Sequence, residues 1–198
     1  FEVESLRELS GPPATYVGHR LASDVPTLEA AQHQNIRELD RFADWSRPLR
    51  LLCLPGSRSA EMHRHSERFG EILTELKKRN RKIEIVVPTI ERLRERLSAQ
   101  IAQWPYPAKL AVTLEERALA FSTGDVALAC SGTVTLELAL CKVPLVSIYQ
   151  TDAIARLARS MIRIWTASLP NLIADQPVVP EFIDEMIRPG MVARHLEM

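Results

Sequence analysis

The sequence predicts an α/β fold, a doubly wound parallel sheet of the Rossmann-like kind, and two observations carry that prediction. From Leu51 onward short apolar runs alternate with longer segments of helical period. Strands alternating with helices imply parallel neighbours joined by crossovers, with helices covering both faces of the sheet. At 198 residues with 46% hydrophobic content, the chain has enough apolar material for one good core.

Taken in order, the first 48 residues read as a leading segment and connector. "ATYVGHRL" (14–21) offers one strand ending at Gly18, and 27–48 is polar and charged between Pro26 and Pro48. The α/β unit is expected over 49–174. "LRLLCL" (49–54) reads as a buried strand. The next segment, 61–80, is a helix, because Phe69, Ile72, Leu73 and Leu76 recur on one face. "KIEIVVP" (82–88) is a strand halted by proline, and 90–104 a helix whose charges interleave along one side. "KLAVT" (109–113), "DVALAC" (125–130) and "PLVSIY" (144–149) supply three more strands, with helices near 114–121 and 133–141 between them. The tail, 175–198, carries Pro177, Pro180 and Pro189 and reads as short helix and loop, cut short. The chain opens at Phe1 without methionine, which suggests a piece of something longer.

Several function classes fall away on composition. Lys and Arg number 25, as do Asp and Glu, so a protein wrapped in nucleic acid is not expected and any phosphate recognition must be local. Cys53, Cys130 and Cys141 lie in apolar surroundings without C-x-x-C spacing and are expected to be buried, reduced thiols of a cytosolic protein. No apolar run approaches the roughly 18 residues of a membrane span, and no signal peptide opens the chain. G-x-G-x-x-G and G-x-x-x-x-G-K-[ST] are both absent. His63 and His65 diverge by about 200° on a helix, so they do not share a metal and are expected at the solvated surface; no metal or other cofactor is expected.

Ligands of doubly wound sheets sit beyond the carboxyl ends of the strands, where helix N-termini point. Two loops have that position. In "LPGSRSAE" (54–61) Gly56 permits close backbone approach, Ser57 and Ser59 can cap the helix, and Arg58 projects a guanidinium at its start, as an anion site requires. An ordinary strand-to-helix turn with a surface arginine is the alternative. The second loop is Ser131-Gly132-Thr133. A capping box from Thr133 would need its acid at 136, which is Leu; the carboxylate is Glu137, one residue late, on an otherwise apolar helix. Such a carboxylate can accept two hydrogen bonds from a ribose diol. A partly exposed glutamate favoured by the helix dipole is the alternative. Farther on, Arg156, Arg159 and Arg163 share one face of 153–165 opposite Ile154, Leu157, Met161 and Trp165, which suits an anionic membrane surface or a solvated helix face.

Laid out in this way, the chain resembles the C-terminal half of lipid-A-disaccharide synthase, an inverting glycosyltransferase of GT-B architecture. The resemblance rests on an ordered set: "FEVE", "YVGHRLAS", "LPGSR" followed by Glu61 and Arg64, "ACSGTVTLE", "PLVSIY" and "SLPNLIADQPVVPEFI" (168–183). It implies a UDP-sugar-binding domain that serves transfer of a diacylated glucosamine from UDP to a lipid monosaccharide phosphate. The enzyme would work peripherally at the cytoplasmic face of the inner membrane, without a donor metal. Ser131, Gly132 and Thr133 would face the pyrophosphate, Glu137 the ribose, and Arg58 the phosphate charge that grows as UDP departs. Gly56, Ser57, Glu61, Tyr149 and Asn171 match positions near the donor. The general base belongs to the acceptor half, so this chain alone is expected to be inactive; a homodimer is left open. Gln150, Gln176 and Asp184 stand where the family more often has Lys or Arg, Arg or Glu, and Gln, which implies a divergent lineage. An epimerase acting on UDP-N-acetylglucosamine and a non-catalytic UDP-binding module are the competing readings.

Overall fold

The computed structural model describes residues 2–15, 46–152 and 165–198. A short helix, α1 (Glu2–Glu8), precedes the α/β unit. There β1 (Leu49–Leu54), α2 (Ser59–Lys78), β2 (Ile83–Pro88), a 3-10 turn (Glu91–Leu93) running into α3 (Arg94–Ile101), β3 (Ala108–Ala111), α4 (Leu114–Thr123), β4 (Val126–Cys130), α5 (Thr133–Leu140) and β5 (Leu145–Tyr149) follow in strict alternation. Then come α6 (Leu169–Ala174), β6 (Glu181–Ile183), a second 3-10 turn (Asp184–Met186) and α7 (Pro189–Leu196).

The six strands form one sheet in the order β3-β2-β1-β4-β5-β6, every neighbouring pair parallel. Leu51 pairs with Ile85 on one side of β1 and with Val126 on the other. Because strand side chains alternate faces, Leu51 and Cys53 enter one core with Met62, Phe69, Ile72 and Leu73 of α2, while Leu52 and Leu54 enter the other with Phe121 and Leu138. The sheet is thus buried on both sides, as uniformly apolar strands require. Asp125 fastens the start of β4 to β1: its carboxylate takes two 2.8 Å bonds from the Arg47 guanidinium and a third, also 2.8 Å, from the Arg50 N–H.

The tail differs from its reading as helix and loop. Glu181–Ile183 is the sixth strand, paired through Ile148 and Phe182, and α7 packs on α2 with Val192, Ala193 and Leu196 fully or nearly fully buried. Three residues between two prolines and a 3-10 turn are too few to show a period. Only the open edge of β5 makes them a strand. Of the segment 1–48, residues 16–45 lie outside the described residues, and with them all but the first two positions of the strand expected near 14–21.

Candidate functional site

Beyond the carboxyl ends of β1 and β4 the chain turns to opposite sides of the sheet, which opens a crevice at the switch point. A cleft of about 360 Å³ lies there. The two loops singled out in the sequence form facing walls: Gly56, Ser57, Arg58 and Glu61 on one side, Ser131, Gly132, Thr133 and Glu137 on the other.

Backbone conformation explains both glycines. Gly56 has φ +107°, where an L side chain is strained, and a Cβ there would stand 3.8 Å from Cys130. Gly132 has φ +157° and ψ −169°, a region open essentially to glycine alone, and a Cβ would meet nothing within 4 Å. Gly132 is therefore needed for its backbone path and leaves that wall open. It is also the N-cap of α5, as Arg58 is of α2, and neither helix has a side-chain cap. The N-cap position of α2 thus falls on Arg58 and not on Ser57, which was expected to cap it. Two helix N-termini whose N-cap residues make no side-chain cap bond border one cleft, which suits an anion.

Charge in the cleft is paired. The Arg58 guanidinium lies 3.0 Å from Glu61, which holds the arginine firmly protonated, and its side chain stays 80% exposed. Across the cleft Glu137 stands 3.8 Å from Arg117 of α4. Glu137 sits well inside α5, beyond the reach of a cap, as its spacing indicated. Arg117 also lines the cleft and was missed in the sequence. The signal was present: Thr113 and Glu116 form a reciprocal capping box, which phases α4 and turns the next residue toward α5.

Two expected donor positions, Asn171 and Tyr149, are not among the residues that line this cleft. Asn171 is 2% exposed, and its amide is spent on structure: Oδ1 accepts the Val179 N–H at 2.7 Å, while Nδ2 donates to the Val179 carbonyl at 3.0 Å and to Thr166 Oγ1 at 3.2 Å. Tyr149 ends β5 near Arg58 and Glu61 of the cleft wall, its ring 5.9 Å from that of His65, and burial with the Glu61 carboxylate raises its phenol pKa. Ser131 lines the cleft, yet its hydroxyl donates to the Ala167 carbonyl at 2.7 Å and so ties the loop to the segment before α6.

His63 is exposed beside Glu67, as a surface histidine should be, but His65 is wholly buried. The expectation of a solvated pair fails because two residues of helix turn the second ring inward onto the sheet. Cys53, Cys130 and Cys141 are buried and free; burial pushes the Cys130 and Cys141 thiols up to about 12 and Cys53 higher still. Among the described residues no His, Cys, Asp and Glu cluster could hold a metal, and no helix is long and apolar enough to cross a membrane. Arg156, Arg159 and Arg163 lie outside the described residues.

Comparison with known proteins agrees with the ordered motifs. The lipid-A-disaccharide synthetase family matches residues 1–196. Lipid-A-disaccharide synthase of Nitrobacter winogradskyi is 39% identical over 199 residues, covering 100% of this chain and 48% of its own length. That of Rhodopseudomonas palustris is 39% identical over 186 residues, 93% of this chain and 46% of its own. The chain therefore spans about half the length of the curated relatives it matches. Among solved structures, E. coli ADP-heptose LPS heptosyltransferase II aligns with a TM-score of 0.49 at 13% identity, over 83% of this chain and 50% of that one.

Proposed function

This chain belongs to the lipid-A-disaccharide synthetase family, and from that premise we propose that its α/β unit is the donor half of a GT-B glycosyltransferase. In this reading it binds UDP-diacylglucosamine in the cleft, and the sugar passes to a lipid monosaccharide phosphate held by the remainder of the enzyme. The observation that carries the proposal is the meeting of two uncapped helix N-termini with Arg58 and Arg117 in one cleft at the switch point.

The chemistry follows from charge. As the glycosidic bond to UDP breaks, negative charge grows on the β-phosphate, and fixed donors aimed there favour the departing state over the bound substrate. The N–H groups of α2 and α5 supply such donors. Arg58, on the rim, shifts from Glu61 to the phosphate, and Glu137 turns from Arg117 to the ribose hydroxyls. The first exchange replaces one charged partner by another, and the second replaces an ion pair by charge-assisted hydrogen bonds from neutral hydroxyls. No metal is invoked. Arg156, Arg159 and Arg163 bring the enzyme to the anionic face of the inner membrane, where both substrates reside, and the epimerase-like alternative is set aside on the family match.

Calorimetric titration with UDP tests the reading. Arg58→Ala and Glu137→Ala should each weaken UDP by roughly ten- to a hundredfold, since each removes a charge-assisted contact. Unchanged affinity in both folded variants would remove the donor assignment. The chain alone should bind UDP without turnover; disaccharide formed by it alone would show that no acceptor half is needed.

A further inference from the structure

We infer that His65 is a positioning residue of the cleft: its buried, uncharged imidazole ties the ends of β4 and β5 to α2, and the cleft keeps its shape only while that ring stays unprotonated.

The ring meets three elements at once. His65 lies seven residues beyond Arg58, two helical turns along α2, and is 0% exposed. Its Nε2 accepts the Gln150 N–H at 3.0 Å, one residue past β5. A nitrogen that accepts from an amide has its lone pair there, so the ring proton resides on Nδ1. The same Nε2 stands 3.6 Å from Cys130 Sγ, immediately before the Ser131-Gly132-Thr133 wall, and the ring lies against Tyr149. The next amide, Thr151 N–H, is held by Asp184 at 2.7 Å, so the chain leaving β5 is gripped on both sides. One imidazole thus couples the Arg58 helix to the loop opposite.

Protonation would set an imidazolium N–H against the Gln150 N–H at a ring that is itself 0% exposed, two donors face to face with only the weakly accepting Cys130 sulfur nearby. The groups facing the ring oppose this. On its own helix the Glu61 carbonyl and carboxylate favour a charged ring without closing a hydrogen bond to Nδ1, while Arg64 disfavours it. From β4 comes the Cys130 thiol and from β5 the Tyr149 phenol, both neutral because burial raises their pKa values. Burial of the ring is the largest influence and lowers the His65 pKa below the ordinary histidine range.

Two variants separate positioning from mere filling of space. In His65→Gln a side-chain oxygen can accept the same N–H without titrating; in His65→Leu the volume remains and the acceptor is lost. At pH 7.5 the long-range proton–nitrogen spectrum of the parent should show the Nδ1–H tautomer. The protection factor of the Gln150 amide should fall in the parent as acidification passes the lowered His65 pKa, below the ordinary histidine range, hold steady in His65→Gln and be low throughout in His65→Leu. UDP affinity, the readout that rests on the donor reading above, should weaken with acid in the parent, stay flat in His65→Gln, and be roughly tenfold weaker at all pH values in His65→Leu. An Nε2–H tautomer, or a Gln150 amide equally protected in parent and His65→Gln across the pH range, overturns the inference whether or not UDP binds. Should His65→Leu not fold, parent and His65→Gln carry the test through that amide. If the amide behaves as expected while UDP binds at no pH, it is the donor reading that falls.

Discussion

Asn171 offers the sharpest test, because the family resemblance sets it near the donor whereas the structure uses it as an internal tie. Asn171→Ala removes three hydrogen bonds, two to the Val179 peptide and one to Thr166 Oγ1, at a residue only 2% exposed. The Val179 N–H and carbonyl are then left buried without partners, at about 1–3 kcal/mol each. The expected loss is about 2–6 kcal/mol, which in a domain of this size lowers the melting temperature by at least about 4 °C. Asn171→Asp should also destabilise, since its second oxygen faces the Val179 carbonyl where Nδ2 now donates. Differential scanning calorimetry measures the stability and a UDP titration below the transition measures the site. If Asn171→Ala melts with the parent yet loses UDP affinity, then Asn171 contacts ligand and its role as a tie is wrong.

Gly56→Ala forces a Cβ onto a residue at φ +107°; it should cost about 1–3 kcal/mol in a chemical denaturation curve and weaken UDP as the loop reshapes. Stability should also depend on His65. Its folded pKa is lowered, so the stability it contributes is complete above the unfolded value near 6.5 and is lost as pH falls through that value toward the folded one; in urea melts His65→Gln should lack this acid slope. The thiols of Cys53, Cys130 and Cys141, all buried with raised pKa values, should react with a disulfide reagent at pH 8 only after unfolding, and rapid labelling of the native protein would contradict their burial. The arginine stripe predicts salt-sensitive co-sedimentation with anionic vesicles, reduced in a triple Arg→Gln variant at 156, 159 and 163; equal binding by the two would move membrane contact elsewhere.

Five strands, the helices between them and both cleft loops were legible along the chain because their causes are local. Apolar runs of four to six residues, helical periods, and Gly56 and Gly132 at turns each declare themselves within a few positions. The displacement of Glu137 from a capping position was likewise a matter of counting. What the sequence by itself determined was therefore the alternating α/β pattern, the parallel sheet that pattern demands, and the two loops that end its central strands.

Tertiary structure decided the rest, because those features depend on partners distant in sequence. Glu181–Ile183 is a strand only since β5 leaves an edge for it, 34 positions back at Tyr149↔Ile183. His65 reads as surface by its polarity and proves buried because the Gln150 N–H, 85 positions away, needs an acceptor inside. Asn171 turns inward for the same reason, to satisfy the Val179 peptide. Arg117 reaches the cleft by the packing of α4 against the sheet, which sets it 3.8 Å from Glu137. A buried polar group must find a partner wherever the fold brings one, and no local pattern in the sequence records which partner that will be.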